Sequence, residues 1–166
     1  MALVPQNPVR PLLPPEQVMP LLDEFFNQHL PITQYLNMRC HEFTGDSFSL
    51  AIDLEPSLND KLTAFGGSLY CVSVMNCWGM VYLQGRQRGI NPNMVVAHAE
   101  IDYLAPVDDD VIIATCHAPD DADWEGFFDS FYNRGKARAK VSSTIMSNGK
   151  EAVRFNGQYA IIGMND

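Results

Sequence analysis

Residues 66–85 read GGSLYCVSVMNCWGMVYLQG and are the most informative part of the sequence for predicting the fold. It contains no charged side chain, and a helix of this length would be about 30 Å long. About 20 apolar residues can also cross a bilayer, but Ser68, Ser73, Asn76, Gln84 and the glycines dilute the run, and no second span occurs. A helix that is apolar almost all round in a soluble protein is buried. The stretch therefore predicts a buried central helix.

The segments on both sides of this helix alternate between apolar and polar residues, as half-buried strands do. Before the helix, the alternation covers residues 35–43 and 47–54, with a turn at Gly45-Asp46. After the helix, it covers residues 94–104, 111–118, 136–146 and 151–163. Asn148-Gly149, between the last two segments, is a strong signal for a tight hairpin. The acidic stretch 119–129 is expected to form a loop or a short helix.

The N-terminal part divides into an arm and a helix. Residues 1–15 contain five prolines and predict an extended arm. A helix is expected from Pro15, because Val18, Leu21, Leu22, Phe25 and Phe26 fall at helical spacing and Pro31 follows. Residues 16–166 then form a single domain. No strand–helix–strand alternation occurs, so the sequence predicts an α+β fold in which a twisted antiparallel sheet wraps one helix.

The overall charge argues against one class of function, the binding of nucleic acids. The formal charge of -9 and a pI near 4.7 argue against a protein that neutralises nucleic-acid phosphates. A small basic patch could still hold one phosphorylated ligand. The four cysteines form no CxxC pair and no spacing typical of zinc, which favours reduced thiols and no metal. The N-terminus has no signal-peptide pattern, and no membrane span is expected, so we expect a cytoplasmic protein.

Two sequence motifs resemble those of a known family: residues 59–70, NDKLTAFGGSLY, and residues 103–107, YLAPV. Together they resemble the hotdog thioesterases, and TAFGGSLY in particular resembles the thioesterase family named for the YiiD C-terminal domain. The resemblance covers about residues 30–163. It implies a hotdog fold, hydrolysis of an acyl-CoA or acyl-carrier thioester without a cofactor, and a homodimer or dimer of dimers with sites at the interface.

The glycine pair supplies a chemical rationale for this resemblance. The first amides of a helix have no intrahelical acceptor and lie at the positive end of the dipole. They can therefore stabilise the oxyanion that forms when water attacks a thioester carbonyl. We expect Gly67 N–H to be the principal donor, Ser68 to lie beside it, and Phe65 and Gly66 to shape the approach. Alternatively, the glycines only permit close packing, with Ser68 as a helix cap.

The resemblance implies a role for Asn59, because related enzymes have an asparagine ahead of the glycine pair that helps to place the water or the carbonyl. Asn59 stands six residues before Phe65, which matches that spacing. The other interpretation is an ordinary turn residue, since asparagine is common in turns.

Two positions depart from the related phenylacetyl-CoA thioesterases, which have a histidine at Phe65 and a helix carboxylate at Val74. The central helix carries no acid, so the general base is not assigned. The polar candidates are Ser68, Ser73 and Asn76 on the helix, and His98, Glu100 and Asp102 on the following strand. His98 and Glu100 could form an acid–base pair or belong to a solvated face. Arg134 and Lys136 are candidates for phosphate contact, although alternating cations also suit a solvated strand.

Three functions remain open, in order of preference. The first is an acyl thioesterase whose acyl chain lies along apolar residues of the central helix. The second is a non-catalytic module that binds acyl thioesters or lipids, which the missing helix carboxylate favours. The third is a dehydratase acting on hydroxyacyl thioesters. It ranks last because no histidine lies in or beside the Gly-Gly segment.

Overall fold

The computed structural model describes residues 11–118 and 122–166. Within these ranges it contains four α-helices, α1 (Pro15–His29), α2 (Pro31–Tyr35), α3 (Gly66–Gln87) and α4 (Trp124–Arg134), and a short 3-10 helix, Glu55–Ser57. It also contains six strands: β1 (Arg39–Phe43), β2 (Ser47–Asp53), β3 (Pro92–Tyr103), β4 (Val111–His117), β5 (Ala137–Ser147) and β6 (Lys150–Met164). Most of the predicted arm 1–15, and residues 119–121 of the acidic stretch, lie outside the described residues.

The six strands form one antiparallel sheet in the order β1-β2-β4-β5-β6-β3, and α3 packs against five of them and against α1. Most of α3 is buried, so the predicted central helix and antiparallel α+β architecture are confirmed. Within the described ranges, no helix has the length and apolar character needed to cross a membrane. The sheet edges are β1 and β3.

Polar side chains inside the core attach α3 to the sheet. Asn76 donates from Nδ2 to the carbonyl oxygen of Phe48 in β2 (2.8 Å) and accepts from Ser143 Oγ of β5 (2.7 Å). The Tyr159 hydroxyl of β6 donates to the carbonyl oxygen of Val74 (2.8 Å). Burial raises the pKa of Tyr159, so this donor stays protonated. Three strands therefore fix the position of the helix.

The N-terminal helix covers one side of α3. Its buried residues Val18, Leu22 and Phe26 recur every four residues and form one apolar face, as predicted. Ahead of it, Leu13 N–H donates to the carbonyl oxygen of Gln87 (2.8 Å), and Gln87 Nε2 donates to the carbonyl oxygen of Leu13 (2.9 Å). This pair ties the chain before α1 to the end of α3.

The predicted first strand, residues 35–43, is wrong in its first part. Residues Pro31–Tyr35 form α2, and the strand begins at Arg39. Thr33 stabilises this helical turn, because its Oγ1 donates to the carbonyl oxygen of Leu30 (2.7 Å) and its own carbonyl accepts from Met38 N–H (2.7 Å). Local side chain–backbone bonds of this kind compete with strand formation.

The remaining connections follow local chemistry. Asn148 and Gly149 both have positive φ (51° and 74°) and join β5 to β6 as a two-residue hairpin, as predicted. The acidic stretch leads into α4, where Asp123 accepts from Gly126 N–H as the N-cap (2.8 Å). The helix ends at Gly135, whose φ is 70°.

Candidate active site

The first turn of α3 leaves two amides available for a ligand. Phe65 is the N-cap and makes no side-chain cap bond, so Ser68 is not the cap. Ser68 N–H and Leu69 N–H both donate to the carbonyl oxygen of Phe65 (3.0 and 3.2 Å). Gly66 N–H and Gly67 N–H have no acceptor among residues 11–118 and 122–166. Two unpaired donors therefore lie at the positive end of a 22-residue helix.

Backbone conformation does not require glycine at either position. Neither has a positive φ, so any residue could adopt this backbone. A Cβ at Gly67 would lie 2.4 Å from Cε1 of Phe65, and a Cβ at Gly66 would lie 3.4 Å from Cζ of Tyr103. Two aromatic rings therefore flank the free amides. Phe65 is 58% exposed and Tyr103 is 53% exposed, so both rings border solvent.

Backbone bonds hold the segment that precedes the glycines. Phe65 N–H donates to the carbonyl oxygen of Ser57 (2.6 Å), and Ala64 N–H donates to the carbonyl oxygen of Val107 (2.7 Å). The Tyr103 hydroxyl, at the end of β3, donates to the carbonyl oxygen of Gly66 (2.8 Å). The direction of the free amides is thus fixed from both sides of the helix end.

Asn59 organises the loop before the glycines. Its Oδ1 accepts from Lys61 N–H (2.8 Å) and Thr63 N–H (3.1 Å), and its Nδ2 donates to Thr63 Oγ1 (3.0 Å). These are the contacts of the turn interpretation. Within this loop Leu62 has a φ of 59°, a left-handed conformation that is costly for a branched side chain. A direct contact of Asn59 with a ligand stays a prediction.

An exposed apolar patch surrounds the free amides. Monomeric proteins rarely expose such contiguous patches, and those that do often bind a ligand or another chain there. The large apolar residues in the segments next to the glycine pair that are more than a third exposed are Leu58, Leu62, Phe65, Tyr70, Tyr103 and Leu104.

A stripe along α3 connects the amides to a cleft. Gly67, Cys71, Val74, Trp78 and Tyr82 share one helix face, at successive spacings of three or four residues. Gly67 is exposed, and Cys71 and Val74 are half-buried. At the far end the stripe reaches a cleft of about 640 Å³ between α1, α3 and β3.

The cleft has an aromatic wall that sequence reasoning missed. The ring of Trp78 stacks on Phe25 of α1 and on Tyr82, with centroids 5.1 Å apart in both pairs. Trp78 and Tyr82 stand four residues apart on the helix, which was the available signal. The contribution of Phe25 depends on the docking of α1 and has no local signature.

Two of the predicted helix residues lie inside the core. Ser73 and Asn76 are fully buried, and the amide of Asn76 is used by β2 and β5. The Ser73 hydroxyl has no partner in the described part of the chain. Ser68 is also largely buried. Asn76 thus has a structural role, and the proposed site does not include it.

His98 and Glu100 contact each other on β3, with 3.2 Å between Nε2 and Oε1. Both are exposed, and they line a shallow cleft with Lys140, Ser142 and Gln158 on strands β5 and β6. Ala99 and Ile101, which alternate with them, pack on the core that contains α3. The pair therefore faces away from α3, as a solvated outer face does. No carboxylate replaces Val74, so a base is not assigned.

Arg134 and Lys136 lie at the opposite end of the sheet from Gly66 and Gly67 of the same chain. They line a cleft of about 320 Å³. The neighbouring Ala137 pairs with Ile161 near the end of β6, whereas Tyr103, which contacts Gly66, pairs with Val153 near its beginning. The sequence-predicted phosphate and carbonyl contacts therefore do not meet within one chain.

Comparison with known structures defines the class as hotdog proteins. A thioesterase from Haemophilus influenzae shares this fold, with a TM-score of 0.66 over 89% of this chain and 92% of its own, at 11% identity. The "putative thioesterase from Shewanella oneidensis" is 28% identical, with a TM-score of 0.78 over 89% of this chain and 99% of its own. A protein of unknown function from Chlorobaculum tepidum TLS is 44% identical, with a TM-score of 0.87 over 93% of this chain and 99% of its own.

The family follows from the sequence itself. The profile of the YiiD C-terminal family, described as "Putative thioesterase (yiiD_Cterm)", matches residues 20–163. The chain belongs to this family. Its fold is the expected hotdog fold, and its chemistry falls in the class of thioester hydrolysis.

Proposed function

We propose that this protein hydrolyses an acyl thioester carried by coenzyme A or an acyl carrier, and that Gly67 N–H holds the thioester carbonyl. The observation that carries this proposal is the pair of unpaired amides at the start of α3. As water attacks, negative charge develops on the carbonyl oxygen, and oriented amides in a water-poor site stabilise that charge. Gly66 and the ring of Phe65 shape the approach.

Hydrolysis forms a carbon–oxygen and a sulfur–hydrogen bond and breaks a carbon–sulfur and an oxygen–hydrogen bond. The water oxygen bonds to the carbonyl carbon, the carbon–sulfur bond breaks, and the proton released by water balances the thiolate that leaves. Asn59 acts by holding the loop before the amides, and Ser68 lies one residue beyond the donor. The rings of Phe65 and Tyr103 flank the amides on two sides.

A homodimer through β3 would complete the site. This edge strand is 12 residues long, pairs only with β6 in the described structure, and exposes Val95 and Val96. Long free edges are normally covered. Antiparallel pairing with a second copy about the strand centre places Met94 opposite the partner's Ile101, which keeps an inner-facing residue beside an inner-facing one.

The same two-fold arrangement brings the ends of the helices together. The stripe on α3 is centred between Val74 and Met75, so Gly67 of one copy comes beside the aromatic cleft that holds the partner's Tyr82. An acyl chain can then follow the apolar stripe, with the partner's aromatic wall closing the groove. Each dimer would have two such sites.

A non-catalytic acyl-thioester-binding module is the second candidate. The specific observation in its favour is that α3 carries no acid, with valine at position 74. Such a module would hold the carbonyl at the same amides without activating water.

Thiol release from a panel of acyl-CoAs of increasing chain length tests the proposal. We expect turnover that falls strongly in Gly67→Ala and measurably in Asn59→Ala. It should be unchanged in Lys150→Gln, which replaces an exposed cation in the β5–β6 hairpin. Saturable binding without thiol release would favour the module, and neither binding nor release would refute the proposal.

A further inference from the structure

The cations of this acidic chain are unevenly distributed. Residues 130–150 contain five cations and no Asp or Glu, in a protein of net charge -9. Four of these cations, Arg134, Lys136, Arg138 and Lys140, occupy seven consecutive positions, and we call them the basic strip. None of the four forms an ion pair within the part of the chain that the structure describes.

Half of the strip lies on the outer face of the sheet, in β5, whereas Arg134 ends α4 and Lys136 lies just ahead of β5. Arg138 and Lys140 are exposed and alternate with Ala137, Ala139 and Val141, which pack in the core. Across the ladder in β6, Arg138 pairs with Ala160 and Lys140 pairs with Gln158. No carboxylate stands opposite either cation in this register.

Two clefts meet at Arg138. The first, of about 320 Å³, is lined by Arg134, Lys136 and Arg138 over an apolar floor that includes Ile161. The second, of about 370 Å³, is lined by Arg138 and Lys140 and by Trp124 and Phe127 of α4.

The second cleft has an aromatic wall. The rings of Trp124 and Phe127 meet edge to face, with centroids 5.8 Å apart. Asp123 also lines this cleft, but its carboxylate is used as the cap of Gly126 N–H. Aromatic rings beside cations suit a ligand whose base stacks on the rings and whose phosphate pairs with the cations.

We propose that the basic strip, together with the rings of Trp124 and Phe127, binds the phosphorylated adenosine of coenzyme A. The phosphates would contact Lys136 and Arg138, and the adenine would stack on Trp124 and Phe127. This inference rests on the proposed thioesterase function and deepens it by naming the carrier. The carrier is coenzyme A rather than an acidic carrier protein, because the cations border concave clefts with an aromatic wall and do not form a flat charged face.

Distances along the sheet indicate which amides serve this nucleotide. From Lys136 to the level of Tyr103 of the same chain is nine residues along β5, or about 30 Å at 3.3 Å per residue. In the β3-paired dimer, the partner's Tyr103 lies three strand spacings away, or about 14 Å at 4.8 Å each. The arm between the sulfur and the first phosphate of coenzyme A has about 13 bonds and extends about 16 Å. The arm is therefore long enough to span these three strands toward the partner's Tyr103, but too short for the distance of about 30 Å along the sheet to the site of the same chain.

A comparison of two thioesters tests this assignment. Steady-state hydrolysis of an acyl-CoA and of the same acyl-pantetheine, which lacks the nucleotide, would be measured for the Lys136→Gln/Arg138→Gln variant. The control is Lys150→Gln, which removes a cation from the same hairpin at its other end. We expect the KM for acyl-CoA to rise about ten-fold in the double variant, since charged hydrogen bonds are lost. The KM for acyl-pantetheine, both kcat values and the control should not change.

Calorimetry with adenosine 3′,5′-bisphosphate gives a readout that does not need turnover. We expect saturable binding to the native protein and about ten-fold weaker binding to the double variant. Equal effects on both thioesters, or binding of the bisphosphate that the double variant retains, would overturn the nucleotide site. An effect confined to an acyl carrier protein substrate would also overturn it. Bisphosphate binding without hydrolysis of any thioester would refute the proposed function and leave the nucleotide site intact.

Discussion

Replacement of Gly67 by alanine separates a ligand-binding role of this glycine from a packing role. The new Cβ would lie 2.4 Å from Cε1 of Phe65, about 1 Å closer than an ordinary contact of 3.4 Å. Phe65 is 58% exposed, so its ring can move away at little cost. Because the φ of Gly67 is not positive, alanine gains about 0.5–1 kcal/mol in helix propensity there. We therefore expect the free energy of unfolding to stay unchanged or to rise.

Activity should move in the opposite direction. The methyl group and the displaced ring would lie over the amide that receives the carbonyl oxygen. Loss of one oxyanion donor costs about 10²–10³ in kcat, and we expect a fall of this order. Thiol release and urea denaturation would be measured on the same preparations of native protein and Gly67→Ala.

The double variant Phe65→Ala/Gly67→Ala identifies the cause. If the methyl group blocks the amide, the double variant stays as slow as Gly67→Ala. If only the displaced ring interferes, it returns to the rate of Phe65→Ala. Native kcat in Gly67→Ala, or a loss of stability that accounts for the loss of activity, would refute a carbonyl-binding role for Gly67 N–H.

Three further predictions concern the core, the edge strand and the thiols. Asn76→Leu leaves the buried carbonyl oxygen of Phe48 and the buried hydroxyl of Ser143 without their hydrogen-bond partner. It should lower the free energy of unfolding, measured in urea, by about 2–4 kcal/mol. A change below about 0.5 kcal/mol would contradict the structural role of Asn76. Val95→Glu places like charges opposite the partner's Glu100 and should reduce the sedimentation mass to 18.6 kDa, whereas Val95→Lys should keep the dimer. Burial raises the pKa of the Cys40 and Cys71 thiols above the usual range of a cysteine. Ellman's reagent should therefore label both thiols more slowly than free cysteine at pH 7.5, and faster as the pH rises. Labelling at pH 7.5 as rapid as that of free cysteine would contradict the raised pKa.

The sequence predicted the elements whose burial and periodicity coincide. The uncharged run forms α3, and the alternating runs form the strands. In each case the order of apolar and polar residues indicates which side of the element is buried. The boundary at Tyr35 failed because Thr33 forms a local bond that apolar patterning does not show. The family resemblance located the glycine pair, and the structure adds that its amides have no acceptor in the described ranges.

The rest of the site depends on contacts between distant residues. Asn76 is a polar residue on an apolar helix, and only its bonds to Phe48 and Ser143 distinguish a structural role from a ligand contact. Arg134 and Lys136 stand in a basic run, but strand register decides that they lie far from Gly67 of the same chain. A sequence cannot show that register before the sheet is assembled.

A crystal structure with an acyl-CoA analogue, in which a methylene group replaces the thioester sulfur, would show directly whether Gly67 N–H holds the carbonyl oxygen. If helix α3 receives the substrate, the ketone oxygen will lie about 2.7–3.1 Å from the nitrogen of Gly67. A ketone bound elsewhere, with the amides of Gly66 and Gly67 covered by the protein or by ordered water, would contradict it.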